Sequence, residues 1–207
     1  MDITKTALIL GDSPLLQQYE QYIPKLLTLY FSMGINRIIT RYTTSVHIFT
    51  DGKIVPLTNA YKDIPTVTIK KYGDLITDKE KELIDVFANK TTNFHKDLEN
   101  IEVIRNNELA WCGFTHDYAI SYLLYKHYDN IVLVGAADFI NGPHYSNTEN
   151  FKRAERLQNH SIQFINEVNN KYAKVFTLNQ NPLHNATPIT VEELIQGVTN
   201  DNRTYFL

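Results

Sequence analysis

Residues 131–139 of the chain read IVLVGAADF. Four consecutive apolar residues, Ile131 to Val134, end at Gly135, which predicts a short strand buried on both faces. Residues 7–11 repeat the pattern as ALILG near the start of the chain. Two such strands, separated by segments with helical spacing, are typical of a parallel sheet that is covered by helices on both sides.

The segments between and beyond these two runs alternate between helix and strand patterns. Helical spacing is found in four of them: residues 15–33, 77–94, 118–128 and 148–172. Pro24 interrupts the pattern of residues 15–33. Four more segments have a short apolar strand pattern: residues 37–40, 46–49, 66–69 and 175–178. Of these, residues 66–69 suit a strand at the edge of the sheet. We therefore predict an α/β fold with a mainly parallel sheet flanked by helices. Since no repeat or low-complexity linker divides the chain, we expect one domain over residues 1–207.

The composition is that of an ordinary globular protein. Of the 207 residues, 43% are hydrophobic and 21% are charged, and the formal net charge is −3. This charge gives no global basic field for nucleic acid, although it leaves a local patch open. The single cysteine, Cys112, excludes an internal disulfide framework and fits a reducing compartment. Because no apolar run is long enough to cross a bilayer and the first residues lack the features of a signal peptide, we expect a cytoplasmic protein.

Polar residues follow the predicted strands at three places. In open parallel sheets, ligands bind beyond the carboxyl ends of the strands, near a switch in strand order. This rule selects three segments as candidate ligand-binding loops: residues 11–15, 50–51 and 135–145.

The first segment, Gly11-Asp12-Ser13-Pro14, has two interpretations. Gly11 permits a tight turn, after which backbone amides can face an anion at the start of the next helix. Asp12 and Ser13 can instead simply cap that helix. The segment has neither the Gly-Lys-Ser/Thr of a Walker loop nor the G-x-G-x-x-G of a dinucleotide site.

Asp138 directly follows the clearest buried strand, where a carboxylate is costly unless it faces a cleft or is hydrogen-bonded. It can bind a ligand hydroxyl, hold its loop through backbone amides or take part in catalysis. Residues 140–147, INGPHYSN, then combine polar side chains with turn-forming residues. This composition suits either a binding loop or a plain surface turn.

Three histidines, His116, His144 and His160, are candidate proton-transfer groups, because imidazole titrates near neutral pH. A structural or exposed position is the alternative for each of them. No H-x-H, H-E-x-x-H or C-x-x-C spacing supports a metal site, and Ser13 lacks the G-x-S-x-G context of a hydrolase nucleophile. We therefore expect no bound metal and no nucleophilic triad.

The order of these segments resembles the bacterial sialyltransferases of glycosyltransferase family 42 and the related DUF115 proteins. Their opening Gly-Asn-Gly-Pro-Ser-Leu turn is similar to residues 11–16, GDSPLL. Their Thr-Ser-Gly, helix, strand and Ser-Gly-Ile-Asp-Phe succession is similar to residues 114–139 without an apparent gap. A Tyr-containing loop and a late strand ending in a Pro-Asn turn are echoed by residues 141–145 and 175–181.

This resemblance implies a Rossmann-like fold of the GT-A-type variant and a CMP-linked sugar as co-substrate, with no other cofactor. It implies a metal-independent transfer to a glycan or other hydroxyl acceptor. The residues that it places around the nucleotide and donor sugar are Gly11, Asp12, Ser13, Asn36, Asp51, Thr115 and His116, with Asp138 organising the site. By the same resemblance Tyr145 would contact the leaving phosphate, and His160, or His144 as its rival, would be the general base.

Two replacements distinguish this chain from the family pattern. Asp12 stands in place of an Asn, and Ile140 stands where a phosphate-binding Tyr is expected. They leave open a catalytically inactive protein of the same fold that binds or sequesters a nucleotide, and a structural or partner-binding α/β domain. The identity of donor and acceptor and the formation of a homo-oligomer also stay open.

Overall fold

The computed structural model describes residues 2–61, 64–68, 91–93, 109–111, 114–138 and 148–204. Within these ranges the strands are β1 Thr6–Leu10, β2 Phe31–Ile35, β3 Val46–Phe49, β4 Thr66–Thr68, β5 Thr91–Asn93, β6 Leu109–Trp111, β7 Asn130–Val134, β8 Lys174–Thr177 and β9 Thr187–Pro188. The α-helices are α1 Ile23–Leu29, α2 Val55–Ala60, α3 Thr115–Tyr125, α4 Thr148–Lys171 and α5 Val191–Thr204. Short 3₁₀-helices cover Ile3–Lys5, Pro14–Tyr22, Asn36–Thr40 and Gly52–Ile54.

Seven of these strands form one sheet in the order β4-β3-β2-β1-β7-β8-β9, and every neighbouring pair is parallel. The predicted α/β fold with a parallel sheet is therefore confirmed, and its arrangement is Rossmann-like. The chain builds outward from β1 to β4 on one side and from β7 to β9 on the other. The strand order thus switches between β1 and β7, which is where such sheets bind their ligands. Strands β5 and β6 pair separately, also in parallel.

The centre of the sheet consists of β1 and β7, as their apolar runs predict. All five residues of β1 are buried, and so are the last four of β7. Their register pairs Ala7 with Ile131 and Leu10 with Val134. Because the register keeps the two strand ends level, the loops that follow them begin side by side.

Both faces of the sheet are covered. Ile9 belongs to the core cluster that includes Phe164 of α4, whereas Leu10 belongs to the cluster that includes Leu26 of α1. Alternate residues of one strand therefore pack into different clusters. This double burial explains why β1 and β7 are continuously apolar rather than alternating.

Two predictions between β1 and β3 were wrong. The helix predicted over residues 15–33 is a 3₁₀-helix followed by α1, and it ends at Leu29 so that Phe31–Ile35 form a strand. The apolar residues of this segment fit either period, and pairing with β1 and β3 selects the strand. Residues 37–40, predicted as a strand, form a 3₁₀-helix because Asn36, at φ 53°, turns the chain directly after β2.

The later elements agree with prediction to within a few residues. Helix α3 begins and ends three residues earlier than predicted, and β8 one residue earlier. Thr190 and Glu193 form a capping box at the start of α5, since Thr190 N donates to Glu193 Oε2 and Glu193 N to Thr190 Oγ1. Of the helix predicted over residues 77–94, the described part is strand β5 instead, and the rest lies outside the described residues. Among the helices in the described ranges, none is sufficiently long and apolar to span a membrane.

Candidate functional site

The loops after β1 and β7 are joined by backbone hydrogen bonds at the switch point. Gly11 N donates to Val134 O at 2.9 Å, and Ser13 N donates to Gly135 O at 3.2 Å. Gly135 has φ 64°, a left-handed conformation that glycine adopts without a steric penalty. The two loops therefore form one continuous rim beyond the central strands.

Ser13 connects the same loops through its side chain. Its hydroxyl donates a hydrogen bond to Asp138 Oδ2. The hydroxyl oxygen of Ser13 also accepts a hydrogen bond from Leu15 N at 3.2 Å, which makes Ser13 the N-cap of the following 3₁₀-helix. The capping interpretation of this segment is thus confirmed, and the amides of Ser13 and Leu15 are both used within the chain.

Asp138 has one carboxyl oxygen bound to Ser13 and one that, among the described residues, has no hydrogen-bond partner. The residue is only 6% exposed, and its Oδ1 has no hydrogen-bond partner in the described part of the chain. Burial raises the pKa of Asp138 to about 6, although the hydrogen bond from Ser13 acts to lower it. Its backbone oxygen accepts a long hydrogen bond, 3.5 Å, from Asn179 Nδ2 beyond β8. The carboxyl group therefore connects two loops, and its Oδ1 accepts no hydrogen bond from the residues that the structure describes.

A second polar cluster forms where β2, β3 and α3 meet. Thr115 Oγ1 donates to Asn36 Oδ1 at 3.1 Å and lies 2.8 Å from Thr50 Oγ1. Asn36 follows β2, Thr50 follows β3 and Thr115 begins α3. Because parallel strands end at the same edge of a sheet, this cluster lies on the edge that carries Ser13. The structure thus brings together Asn36 and Thr115, both predicted as site residues.

His116 belongs to a buried network between α3 and α4. Its Nε2 lies 2.8 Å from Ser161 Oγ, and that hydroxyl donates to Asp117 Oδ1 at 2.5 Å. Burial lowers the pKa of His116 to about 3 and raises the pKa of Asp117 to about 7. His116 is therefore a neutral ring that is hydrogen-bonded to α4, an arrangement that a structural group would have. This was the alternative to its role as a proton-transfer residue.

His184, in the loop between β8 and β9, is a buried histidine that the sequence analysis missed. It is 5% exposed; its Nδ1 accepts from Ala186 N at 3.3 Å, and its Nε2 has no hydrogen-bond partner among the described residues. Burial lowers the pKa of His184 to about 4, and the nearby backbone of Ala137 partly opposes this effect. His184 also interacts electrostatically with His116. It therefore lies between the start of α3 and the loop that carries Asp138.

Arg41 is the second residue that sequence reasoning missed. Its Nη1 lies 2.8 Å from Asp12 Oδ1 and its Nη2 lies 2.9 Å from Glu20 Oε1. The charge of Asp12, which would repel an anionic ligand, is thus compensated by a guanidinium group. Because guanidinium groups bind phosphates as well as carboxylates, Arg41 adds a cation close to the first loop.

The other predicted site residues lie apart from these contacts or outside the described residues. Asp51 is exposed and accepts from Lys53 N at 3.0 Å, which makes it the N-cap of a short 3₁₀-helix. His160 is half-buried in α4, directly before Ser161. His144 and Tyr145 lie outside the described residues. Within the described ranges, no group of three or more His, Cys, Asp or Glu side chains is arranged to hold a metal ion.

A cavity of about 340 Å³ lies at the opposite, amino-terminal edge of the sheet, where Leu124, Tyr128 and Tyr172 contribute to its lining. Asp138 Oδ1, which is buried without a hydrogen-bond partner among the described residues, lies instead at the carboxyl edge, together with the buried ring of His184. Since unsatisfied polar atoms are the groups that a ligand would satisfy, we assign the candidate site to the carboxyl edge.

Comparisons of the chain with protein-family models, curated proteins and solved structures found no match. The functional interpretation therefore depends on the geometry of the site and on the resemblance carried by its short motifs.

Proposed function

We propose that this chain binds a nucleotide-activated sugar at the switch point between β1 and β7 and transfers the sugar to a hydroxyl acceptor. One observation carries the proposal: Ser13, Asn36, Thr115 and Asp138, from four separate segments, form two hydrogen-bonded groups at one edge of the sheet. Hydroxyl, amide and carboxyl groups at such an edge suit the hydroxyls of a ribose or a sugar.

The two groups are connected through α3. Thr115 contacts Asn36, and the next residue, His116, interacts with His184, which lies against Ala137. The two groups are therefore linked through neighbouring residues and are not two isolated surface pairs. A site that is held in place by contacts among rigid elements is suited to a small polar ligand.

The donor that the resemblance favours is a CMP-linked sugar. In the transfer, the acceptor oxygen bonds to the anomeric carbon and passes its proton to a base, and CMP leaves with the electrons of the broken carbon–oxygen bond. His160, with His144 as its rival, is the proposed base, and Tyr145 is the proposed contact of the leaving phosphate. We further propose that the protein acts in the cytoplasm, which suits its single cysteine.

Ligand binding and turnover test this function in two steps. Thermal unfolding and calorimetry with CMP, UMP, GDP and their sugar conjugates should identify one nucleotide that raises the melting temperature. Mass spectrometry should then detect donor hydrolysis or transfer. Asn36→Gly, which removes the amide and tolerates the left-handed φ of 53°, should weaken nucleotide binding about tenfold, while Asn130→Ala, at the opposite edge of the sheet, should not. The absence of binding by the whole panel would contradict the proposal.

A specific observation favours nucleotide binding without transfer as the second candidate. The amides of Ser13 and Leu15, at the start of the first 3₁₀-helix after β1, donate within the chain and do not cradle a phosphate. Arg41 is already held by two carboxylates. Tight binding of a nucleotide together with an unchanged donor after prolonged incubation would support this candidate over the transferase.

A further inference from the structure

The carboxyl group of Asp138 accepts a hydrogen bond at one oxygen and, among the described residues, none at the other. Ser13 donates to Oδ2 and fixes the orientation of the carboxyl group, while Oδ1 is buried without a hydrogen-bond partner in the described residues. A buried oxygen of this kind is unfavourable, because it has lost its water and has gained no donor in exchange. It lies directly after β7, at the switch point of the sheet.

We propose that Asp138 Oδ1 accepts a hydrogen bond from a sugar hydroxyl of the bound ligand, and that only the ionised carboxyl group takes up that ligand. The inference rests on the proposed function, since it names the partner of the same site. A hydroxyl fits the open position because it donates one hydrogen bond and brings no charge into a buried place. Ser13 holds Oδ2, so the direction in which Oδ1 accepts is fixed before the ligand arrives.

Proton release follows from this arrangement. Burial raises the pKa of Asp138 to about 6, and a hydroxyl that donates to the carboxylate favours the ionised form and so lowers the pKa in the complex. Above pH 7 the carboxyl group is already ionised and binding needs no proton transfer. Below pH 6 it must first release its proton, so affinity should fall by up to about tenfold per pH unit.

The titratable groups on the elements around Asp138 have pKa values that differ from that of Asp138. Tyr19 has a raised pKa, mainly because of burial, and the charge of Asp138 raises it further. Burial lowers the pKa of His184 to about 4 and that of His116 to about 3, so both are neutral above pH 5. Asp12, which precedes Ser13 in the chain, is paired with Arg41.

Two further acids among the described residues are Asp117 of α3 and Glu192 of α5. Asp117 titrates at about pH 7 because it is buried, but its carboxyl group is bonded to Ser161 and to the backbone of Phe114. Glu192 interacts with Tyr19 from the other side. A comparison between wild type and an Asp138 variant cancels the contributions of these groups.

The probes are CMP and CMP-N-acetylneuraminic acid, titrated by calorimetry from pH 5.5 to 8 in buffers of different ionisation enthalpy. Asp138→Asn should bind at least about tenfold more weakly at pH 8 and should lose the proton release that wild type has below pH 6. The phosphate titrates in both proteins, so the difference isolates Asp138. Asp129→Asn, an exposed carboxylate at the amino end of β7, is the matched control and should bind as wild type does.

Ser13→Ala provides a second variant that keeps the carboxyl group. The hydrogen bond from the Ser13 hydroxyl lowers the pKa of Asp138, so removal of that hydroxyl should move the pH midpoint of CMP affinity upward. An unfolding curve establishes that each variant folds. If Asp138→Asn does not, the upward shift in Ser13→Ala decides the question, and an unchanged midpoint overturns the inference.

A third probe, 2′,3′-dideoxy-CMP, distinguishes the two sources of the hydroxyl. A ribose hydroxyl is indicated if the dideoxy nucleotide binds wild type and Asp138→Asn equally. The transferred sugar is indicated if the effect of Asp138→Asn occurs only with CMP-N-acetylneuraminic acid. Equal affinity of wild type and Asp138→Asn for every probe at every pH overturns the inference and leaves nucleotide binding intact. Failure of these probes, and of UMP, GDP and their sugar conjugates, to bind wild type overturns both.

Discussion

Gly11 and Gly135 lie so close together that neither position has room for a side chain. An ideal Cβ on Gly11 would lie 2.3 Å from Gly135 O, and one on Gly135 would lie 2.7 Å from Gly11 O. Both obstacles are backbone atoms, which cannot rotate away. This contact sets the distance between the loops that carry Ser13 and Asp138.

Substitution of either glycine should therefore separate the loops. We expect Gly11→Ala to reduce the free energy of unfolding by about 2 kcal/mol, and Gly135→Ala by at least as much, because its φ is also left-handed. Urea unfolding measures both. Gly197→Ala in α5 is the control: nothing lies within 4 Å of its Cβ position, and alanine should stabilise the helix by about 0.5–1 kcal/mol. If Gly11→Ala is as stable as wild type, the close contact between Gly11 and Gly135 is refuted.

Thr115→Val preserves the shape of the side chain and removes the hydroxyl that joins Asn36 to Thr50. The loss of a donor to Asn36 Oδ1 should cost about 1 kcal/mol of unfolding free energy and should weaken CMP binding, because the amide is no longer oriented. Calorimetry and urea unfolding measure the two effects. Thr28→Val, whose hydroxyl donates to Lys25 O within α1, is the control. If both variants bind CMP as wild type does, this cluster lies outside the site.

His47 should make the fold sensitive to acid. It is fully buried, neither ring nitrogen has a hydrogen-bond partner among the described residues, and burial lowers its pKa to about 4 from 6.5. Between these pH values the unfolded chain binds a proton that the folded chain does not, so the free energy of unfolding decreases as the pH is lowered, by up to about 3 kcal/mol at pH 4.

Thermal unfolding of His47→Leu tests this expectation. The variant should lose less stability than wild type between pH 6.5 and 4, and its melting temperature at pH 7 should be higher, since no unpaired ring nitrogen is buried. The exposed His127 supplies the control variant His127→Asn, because asparagine tolerates its φ of 61°. An equal acid sensitivity in His47→Leu and wild type would refute the assignment.

Asp117 should have the opposite pH dependence. Burial raises its pKa to about 7 from 3.8, so the folded chain binds a proton that the unfolded chain lacks between these values. Its contribution to stability is complete below about pH 4 and is lost as the pH rises through 7. Asp117→Asn should therefore flatten the decline of unfolding free energy between pH 4 and 7. Asp129→Asn should retain the decline, and a parallel decline in Asp117→Asn would exclude Asp117 as its source.

The centre of the fold could be predicted from sequence for a physical reason. Strands buried on both faces must be continuously apolar, and β1 and β7 therefore stand out from the rest of the chain. Strand β2 does not, because Phe31 and Met33 also continue a helical pattern. Its strand form depends on pairing with β1 and β3, which a local pattern does not contain.

The residues of the candidate site likewise include some that local sequence identifies and one that depends on tertiary contacts. Ser13 and Asp138 were identified because each follows a central strand within a few residues. His184 was missed because its position depends on tertiary contacts: Asn185 N donates to Asn166 Oδ1 at 2.7 Å, which holds the loop against α4. A single histidine in such a loop has no neighbouring residues that distinguish it from a surface residue.

The pairing of β1 with β7 also has a consequence for synthesis. Thr6 is matched with Asn130, so β1 has its second neighbour only after more than half of the chain has left the ribosome. Until then one edge of β1 is uncovered, and a nascent chain in this state is prone to pair with other strands. Because non-local pairing is slow to form, the sheet should close late. The hydrogen bonds that join the loops of Ser13 and Asp138 cannot form before that closure.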